Sequence, residues 1–204
     1  MHPLQTERQR DLLHLREMVA CKLAGRHVIE VACGTGYWTE ILAGSARAIT
    51  AVDINEGVLE IARGKPLAGS KAAFHRADGY ALPEFPRRFD GALAAFWWSH
   101  ILKAKLRSFL RGLHRLLTPD AFVMFLDNVY VESSSTPLSR RDADGNTYQQ
   151  RLLNNGSSHE VLKNFPAEQE LRETVDGLAS GGVRRISSVL LDPHLRSRVW
   201  LRLF

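Results

Sequence analysis

Short apolar segments alternate with helical patterns along the first 127 residues, and this alternation constrains the fold more than any other feature of the chain. Strand-like apolar runs occupy residues 27–32, 46–53, 71–77, 89–96 and 121–127. Helical spacing of apolar residues occupies 7–23, 37–43, 56–62 and 102–117. Strands separated by helices pair in parallel through right-handed crossovers. The sequence therefore predicts an α/β fold, with one open sheet between two layers of helices.

A β-hairpin is predicted after the fifth strand. The segments 148–153 and 157–163 flank Asn154-Asn155-Gly156, which is a turn signal. The hairpin belongs to an insertion over residues 130–165, which we expect to act either as a lid over a site or as an arm of a homodimer.

The end of the chain predicts an antiparallel return. A helix is predicted at 167–179, and two apolar stretches follow at 183–191 and 197–204. Their connection is short, so the second stretch must run antiparallel to the first.

Composition limits the class of protein. The 204 residues are 45% hydrophobic and 24% charged. This predicts a single domain over residues 1–204, with a helix in residues 1–25 and no need of a metal or disulfide. Cys21 and Cys33 have neither disulfide-framework nor metal-ligand spacing. Without a leader-like start or an apolar run of about 18 residues, we expect a cytoplasmic protein outside the membrane.

The charge balance is basic, with a net charge of +5 and an isoelectric point near 9.5. Much of the excess lies in residues 103–115 and in the arginines near the carboxyl end. Such clusters are found in nucleic-acid-binding proteins, but a solvated helix face and a basic edge account for them more simply.

The ends of the first three predicted strands carry acidic side chains and a glycine loop. Ligands of open α/β sheets bind at the carboxyl ends of the strands. The first strand leads from Glu30 into Gly34-Thr35-Gly36, where the glycines permit a sharp turn and close approach of a ligand. Asp53 lies 19 residues after Gly34, the distance at which an acid reaches a ribose. Asp78, after the third strand, is placed to accept from an adenine amino group.

Glu30 indicates which nucleoside ligand fits. A carboxylate at the strand tip repels a pyrophosphate and favours a cationic ligand, such as an amino acid with an ammonium and a sulfonium. The dinucleotide pattern asks for a third small residue where this chain has Thr39. Together these residues predict a pocket for a positively charged nucleoside.

The chain resembles the class I S-adenosylmethionine-dependent methyltransferases over roughly residues 10–204. The resemblance rests on the loop Glu30…Gly34-x-Gly36, on Asp53 and Asp78, and on the segments 89–96 and 114–125. It implies a Rossmann-like fold with strand order 3-2-1-4-5-7-6 and an antiparallel strand 7. It also implies S-adenosylmethionine as cofactor and S-adenosylhomocysteine as product.

The resemblance implies a set of cofactor-binding residues. In the family, residues at the end of the fourth strand contact the methionine part, which places Phe96 and Trp97 near the methyl group. The predicted contacts are Glu30, Cys33, Gly34, Thr35, Gly36, Trp38, Thr39, Asp53, Ile54, Asp78, Gly79, Phe96 and Trp97.

The methyl acceptor is expected to be a small organic molecule methylated on oxygen or nitrogen. The Asn/Asp-Pro-Pro-aromatic motif of enzymes that methylate the exocyclic amines of bases is absent, so nucleic acid is not expected as a partner. His100 is the candidate base near the fourth strand. Candidate acceptor contacts are Trp98, Asn128, Tyr130, Tyr148 and His159. No metal site is predicted.

Two other functions remain open at the level of sequence. One is a nicotinamide-dependent oxidoreductase, against which Glu30 and the missing third glycine argue. The other is a non-catalytic cofactor-binding or scaffold protein. The identity of the acceptor and the oligomeric state do not follow from the sequence.

Overall fold

The fold alternates strands and helices through its first two thirds. The structure is a computed structural model that describes residues 3–67, 69, 72–153, 155–176, 186–189 and 197–203. The helices are α1 (Pro3–Lys22), α2 (Tyr37–Ala43), α3 (Glu56–Arg63), α4 (Lys103–Arg115) and α5 (Glu168–Asp176). The strands are β1 (His27–Val31), β2 (Ala48–Asp53), β3 (Ala72–Arg76), β4 (Phe89–Ala95), β5 (Leu117–Asn128), β6 (Leu138–Arg141), β7 (Thr147–Leu152), β8 (Ser158–Leu162), β9 (Ile186–Val189) and β10 (Ser197–Leu203). None of the helices described is long and apolar enough to cross a membrane.

One sheet has the order β3-β2-β1-β4-β5-β10-β9. The pairs among β1 to β5 are parallel, whereas β10 runs antiparallel to both β5 and β9. With β9 and β10 as strands 6 and 7, the predicted order and the antiparallel last strand are confirmed. Parallel strands β1, β2, β3 and β4 bring their carboxyl ends to the same edge of the sheet.

Apolar residues on the two faces of the sheet pack against different helices. Neighbouring strand residues alternate between the faces, so Val28 belongs to one buried cluster and Ile29 to the other. Leu15 and Val19 of α1 lie in the cluster of Val28, together with residues of α2 and α3. Phe109 and other residues of α4 lie in the cluster of Ile29. The predicted three layers are therefore confirmed.

The fifth strand begins earlier than the sequence predicts. Pro119 suggested a break before residue 121, yet β5 starts at Leu117. The pairing moves from Phe89 with Leu117 to Gly91 with Phe122, so the strand bulges at this point. Pro119 and Asp120 are exposed in the bulge, where proline need not donate to the sheet ladder.

The insertion is a sheet of three strands instead of the predicted hairpin of two. β7 pairs antiparallel with β8, as predicted, and also with β6. The segment of β6 had no apolar alternation, and its four residues are all exposed. At the end of the chain, β9 and β10 confirm the antiparallel return, while the parts of the predicted elements at 177–185, 190–196 and 204 lie outside the described residues.

Buried polar contacts attach the insertion to the main sheet. Asn164 donates its backbone N–H to the carbonyl of Ser99 at 2.8 Å and its side-chain amide to the carbonyl of Ile101 at 3.0 Å. Its side-chain oxygen accepts from the backbone N–H of Thr147 at 2.8 Å. Asn164 is 4% exposed, so each of these groups depends on its partner for hydrogen bonding.

We expect Asn164→Ala to lower the free energy of unfolding by about 2–4 kcal/mol, because it leaves the buried N–H of Thr147 and the carbonyl of Ile101 without the amide that now bonds them. Urea unfolding measures this change. Ser133→Ala, at an exposed position of the same insertion, is the control and should change stability by no more than about 0.5 kcal/mol. Equal effects of the two substitutions would contradict the assigned role of Asn164.

Candidate functional site

The turn after β1 brings backbone close to the ends of β2 and α3. Gly34 and Gly36 have positive φ angles of 55° and 77°, a conformation that glycine adopts without strain. A Cβ on Gly36 would lie 3.0 Å from the Cβ of Ala62, so a side chain does not fit there. At Gly34 nothing lies within 4 Å of such a Cβ, and the backbone is open to a ligand. The turn therefore presents backbone, without a side chain, to a ligand at Gly34, and we call it the backbone cradle.

Two other residues at this edge have the left-handed conformation without being glycine. Ala32, after β1, and Phe96, after β4, both have φ of 56°. Such backbone costs about 1 kcal/mol or more and is found at functional sites, where the surrounding structure holds it in place. The strain falls on neighbouring strand ends of the parallel sheet.

Glu30 lies buried beneath the turn. Its side chain is 1% exposed, and its Oε2 accepts a hydrogen bond of 2.6 Å from the hydroxyl of Thr39. Its Oε1 has no hydrogen-bond partner among the residues the structure describes. Burial raises the pKa of Glu30 to about 8, and the bond from Thr39 offsets only part of that rise. A cation placed beside Oε1 would stabilise the ionised carboxylate and lower this pKa.

Asp53, at the end of β2, holds the glycine turn. Its Oδ2 accepts from the backbone N–H of Gly34 at 2.9 Å, and its Oδ1 accepts from the N–H of Asn55 at 2.9 Å. Asn55 in turn caps α3 by accepting from the N–H of Gly57. Asp53 is only half-buried, so its carboxylate also remains open to a ligand.

Asp78, Gly79 and Trp97 lie together at the next part of the edge. Asp78 is exposed and accepts from the N–H of Tyr80 at 2.9 Å. A Cβ on Gly79 would lie 3.0 Å from the indole ring of Trp97, so glycine permits the close contact. The Nε1 of Trp97 is buried and has no hydrogen-bond acceptor in the described part of the chain. Trp97 therefore packs against the Asp78 turn, where an adenine was predicted.

The remaining predicted cofactor residues differ in accessibility. Cys33 is buried, and this burial, with Glu30 and Asp53 nearby, raises the pKa of its thiol well above the usual range, so the thiol stays protonated. Trp38 is buried and lies 6.2 Å from Phe96 between ring centres. Thr35 and Ile54 are exposed at the rim.

The residues of this edge fit the cofactor implied by the sequence. A buried carboxylate with an unpartnered oxygen suits an ammonium, and the backbone cradle at Gly34 admits a ligand. Asp53, only half-buried, has a carboxylate of the kind that binds ribose hydroxyls. Among the described residues no cluster of three or more His, Cys, Asp or Glu side chains offers a metal site.

A cavity of about 400 Å³ opens beside this edge, between α1, the ends of β4 and β5, and the insertion. Its lining includes Asp11, Leu12, Phe96, Asn128, Gln149 and Lys163. Phe96 is shared between the cavity and the glycine-turn side, where its ring lies near Trp38. The cavity is therefore placed to hold a second ligand next to the first.

The structure corrects several predicted acceptor contacts. Trp98 is 2% exposed and packs edge-on against Phe125 in the core, so it is closed to a ligand. The chain forms a 3-10 turn at Trp98–His100, which sends Trp98 inward. Tyr148 and His159 do not line the cavity: the hydroxyl of Tyr148 bonds Asp142, and His159 lies exposed on β8.

Asn128 and Tyr130 stay close to the cavity. Asn128 lines it, and the ring of Tyr130 packs at 5.2 Å against Phe165, which also lines it. Sequence reasoning missed Asp11, Gln149 and Lys163 as lining residues. A polar residue at 11 within an amphipathic helix gives no signal of its own, and the other two depend on how the insertion folds.

His100 is placed differently from its predicted role as a base. It does not line the cavity, and its ring hydrogen-bonds the backbone of Leu162. Burial, together with the charge of Lys163, lowers the pKa of His100, so the ring is neutral at neutral pH. These contacts make His100 part of the attachment of the insertion.

Comparisons with known proteins find similarity to methyltransferases. Residues 28–120 match the family model described as a methyltransferase domain. The chain is 29% identical over 175 residues to O-methyltransferase cnsE of Penicillium expansum, covering 78% of this chain and 62% of that protein. It is 29% identical over 122 residues to demethylmenaquinone methyltransferase of Clavibacter sepedonicus, covering 60% of this chain and 48% of that protein. The chain thus spans less than two thirds of each of these relatives.

Solved structures agree in fold. A complex of DhpI with S-adenosylhomocysteine superposes with a TM-score of 0.73 at 22% identity, covering 99% of this chain and 87% of that one. At this level of identity the likeness concerns the fold.

The raised pKa of Glu30 predicts a pH-dependent stability. Between pH 4.5 and about 8 the folded chain holds a proton on Glu30 that the unfolded chain releases, so this residue's contribution falls as pH rises and is lost above about 8. Glu30→Gln removes the titration but keeps the volume and the oxygen that Thr39 bonds. We expect the variant to gain stability relative to the natural chain as pH rises through this window.

Urea unfolding of both chains at several pH values measures the difference. Glu132→Gln, at an exposed position, reports the general effect of this substitution. Parallel profiles for Glu30→Gln and the natural chain would contradict the assigned proton on Glu30.

Proposed function

We propose that this chain is a class I S-adenosylmethionine-dependent methyltransferase and transfers a methyl group from S-adenosylmethionine to oxygen or nitrogen of a small organic acceptor. The observation that carries the proposal is Glu30, a buried carboxyl with one unpartnered oxygen beneath an open glycine turn. A buried polar atom without a partner is costly, and a cationic ligand beside it removes that cost.

The cofactor would be held at the strand ends by Glu30, the turn at Gly34 and Gly36, Asp53 and Asp78. When bound, S-adenosylmethionine supplies a methyl group on sulfonium that is already activated for in-line displacement. The protein's own task is to align the acceptor and to keep water away from the reacting atoms. Phe96, shared by the two parts of the site, would lie beside the transferred methyl group and leave the acceptor in direct line with it.

We propose that the insertion covers the acceptor cavity. Gln149 of β7 and Lys163, directly after β8, line the cavity, and buried hydrogen bonds of Asn164 attach the insertion to the turn after β4. A cavity of about 400 Å³ suits a small molecule. The insertion would thus determine which acceptors enter.

The nicotinamide-dependent alternative is disfavoured by Glu30. A pyrophosphate at the glycine turn brings no cation to Glu30, whereas the ammonium of S-adenosylmethionine would pair with the ionised carboxylate and lower its raised pKa. A non-catalytic scaffold protein would bind the same cofactor but would not transfer its methyl group. Release of S-adenosylhomocysteine in the presence of a panel of small alcohols, phenols, acids and amines separates the two.

We expect calorimetric titration to show binding of S-adenosylhomocysteine but not of NAD. Asp53→Ala should weaken the binding of S-adenosylhomocysteine by about 10- to 100-fold, because it removes hydrogen bonds to a charged group and the contact that holds Gly34. Asp120→Ala changes an exposed carboxylate in the β5 bulge and is the control. Binding of NAD in place of the adenosyl ligand would favour the oxidoreductase function.

A further inference from the structure

The acceptor cavity is lined by polar as well as apolar side chains. Phe96 and Leu12 contribute apolar surface, whereas Asn128 and Gln149 contribute amides. Two charged residues, Asp11 and Lys163, also line it, and they are only 6% and 9% exposed. A charged side chain in a cavity wall favours ligand groups of opposite charge, so these two residues restrict the chemistry of the acceptor.

Lys163 is fixed in place by two polar contacts of its ammonium, which also lies 5.9 Å from the centre of the Phe165 ring. Its Nζ donates to the hydroxyl of Ser99 at 2.7 Å and lies 3.3 Å from the Oδ1 of Asp127. An ammonium has three N–H donors, and the structure gives Nζ two acceptors within its described residues. The third donor remains for the cavity that Lys163 lines.

Asp127 pairs with Lys163 from outside the lining of the cavity. It is 1% exposed and is not among the lining residues. Its two oxygens also accept from the backbone N–H groups of Ser99 at 2.7 Å and Asn128 at 2.8 Å. Asp127 therefore lies behind Lys163, balanced by three donors, and holds the ammonium toward the cavity.

We propose that Lys163 is a specificity-determining residue that binds an anionic group of the acceptor, so that the acceptor is a small organic acid. This inference rests on the proposed function and adds the chemical class of its acceptor. A carboxylate oxygen takes the third N–H of Lys163 as a charge-assisted hydrogen bond. The carboxyl of Asp11, on the wall formed by α1, selects against a ligand with further negative charges.

The experiment uses the full chain saturated with S-adenosylhomocysteine and measures binding of four probes by calorimetry. Benzoate and butyrate are the acids, and benzamide and butyramide are their neutral counterparts of the same shape. We expect both acids to bind more tightly than their amides. Lys163→Met should weaken binding of the acids by at least about tenfold and leave the amides unchanged. Lys105→Met, on the exposed face of α4, is the matched control.

A second variant keeps the contacts of Lys163 and tests the same charge. Asn128→Asp adds a negative charge to the cavity wall and should weaken binding of the acids, whereas Asn155→Asp adds the same charge at an exposed turn and should not. If Lys163→Met fails to fold, the comparison of Asn128→Asp with Asn155→Asp still tests whether the charge of the cavity determines binding of the acids.

The outcomes separate this inference from the proposed function. Equal binding of acids and amides, or no binding of either at millimolar concentration, overturns the role of Lys163. Binding of acids that is insensitive to both Lys163→Met and Asn128→Asp overturns it as well. Failure to bind S-adenosylhomocysteine itself, measured beforehand, counts against the proposed function instead.

Discussion

The arrangement of the site depends on one constraint: parallel strands must end at the same edge of their sheet. β1, β2 and β4 are paired in parallel, so Glu30, Asp53 and Phe96 come together although they are far apart in the chain. A helix after each strand leads the chain back along the sheet, which leaves the turns at this edge free to bind. The bond from the N–H of Gly34 to Asp53 joins two of these turns directly.

The same edge collects features that reduce stability. Glu30 is buried with an unpartnered oxygen, Trp97 has a buried N–H without an acceptor among the described residues, and Ala32 and Phe96 have left-handed backbone. Each of these costs free energy in the protein alone. Because they converge on one edge while the apolar clusters on both faces of the sheet are well buried, the cost is tolerated by the core and is relieved where a ligand supplies the missing partners.

Sequence could predict the sheet and the cofactor edge because both depend on local signals. The apolar runs give the strands, and Glu30, Asp53 and Asp78 stand directly at or after strand ends. The acceptor side could not be predicted in the same way. Lys163 and Asn164 contact Ser99 and Ile101, which are 64 and 63 residues away. Trp97 lies at the Asp78 turn and Trp98 in the core because a 3-10 turn begins at Trp98. Two adjacent tryptophans look alike in sequence, so their different positions could not be predicted.

The two halves of the site are built from different parts of the chain, and this separates their functions. Residues that face the proposed cofactor come from turns of the main sheet, whose geometry is set by strand pairing. The insertion supplies Gln149 and Lys163 to the cavity and is attached mainly through side chains and backbone near Asn164. A substitution in the insertion can therefore change the charge and shape met by an acceptor without moving Glu30 or Asp53. In the function that we propose, the insertion contributes to the choice of acceptor, whereas the turns of the sheet hold the cofactor.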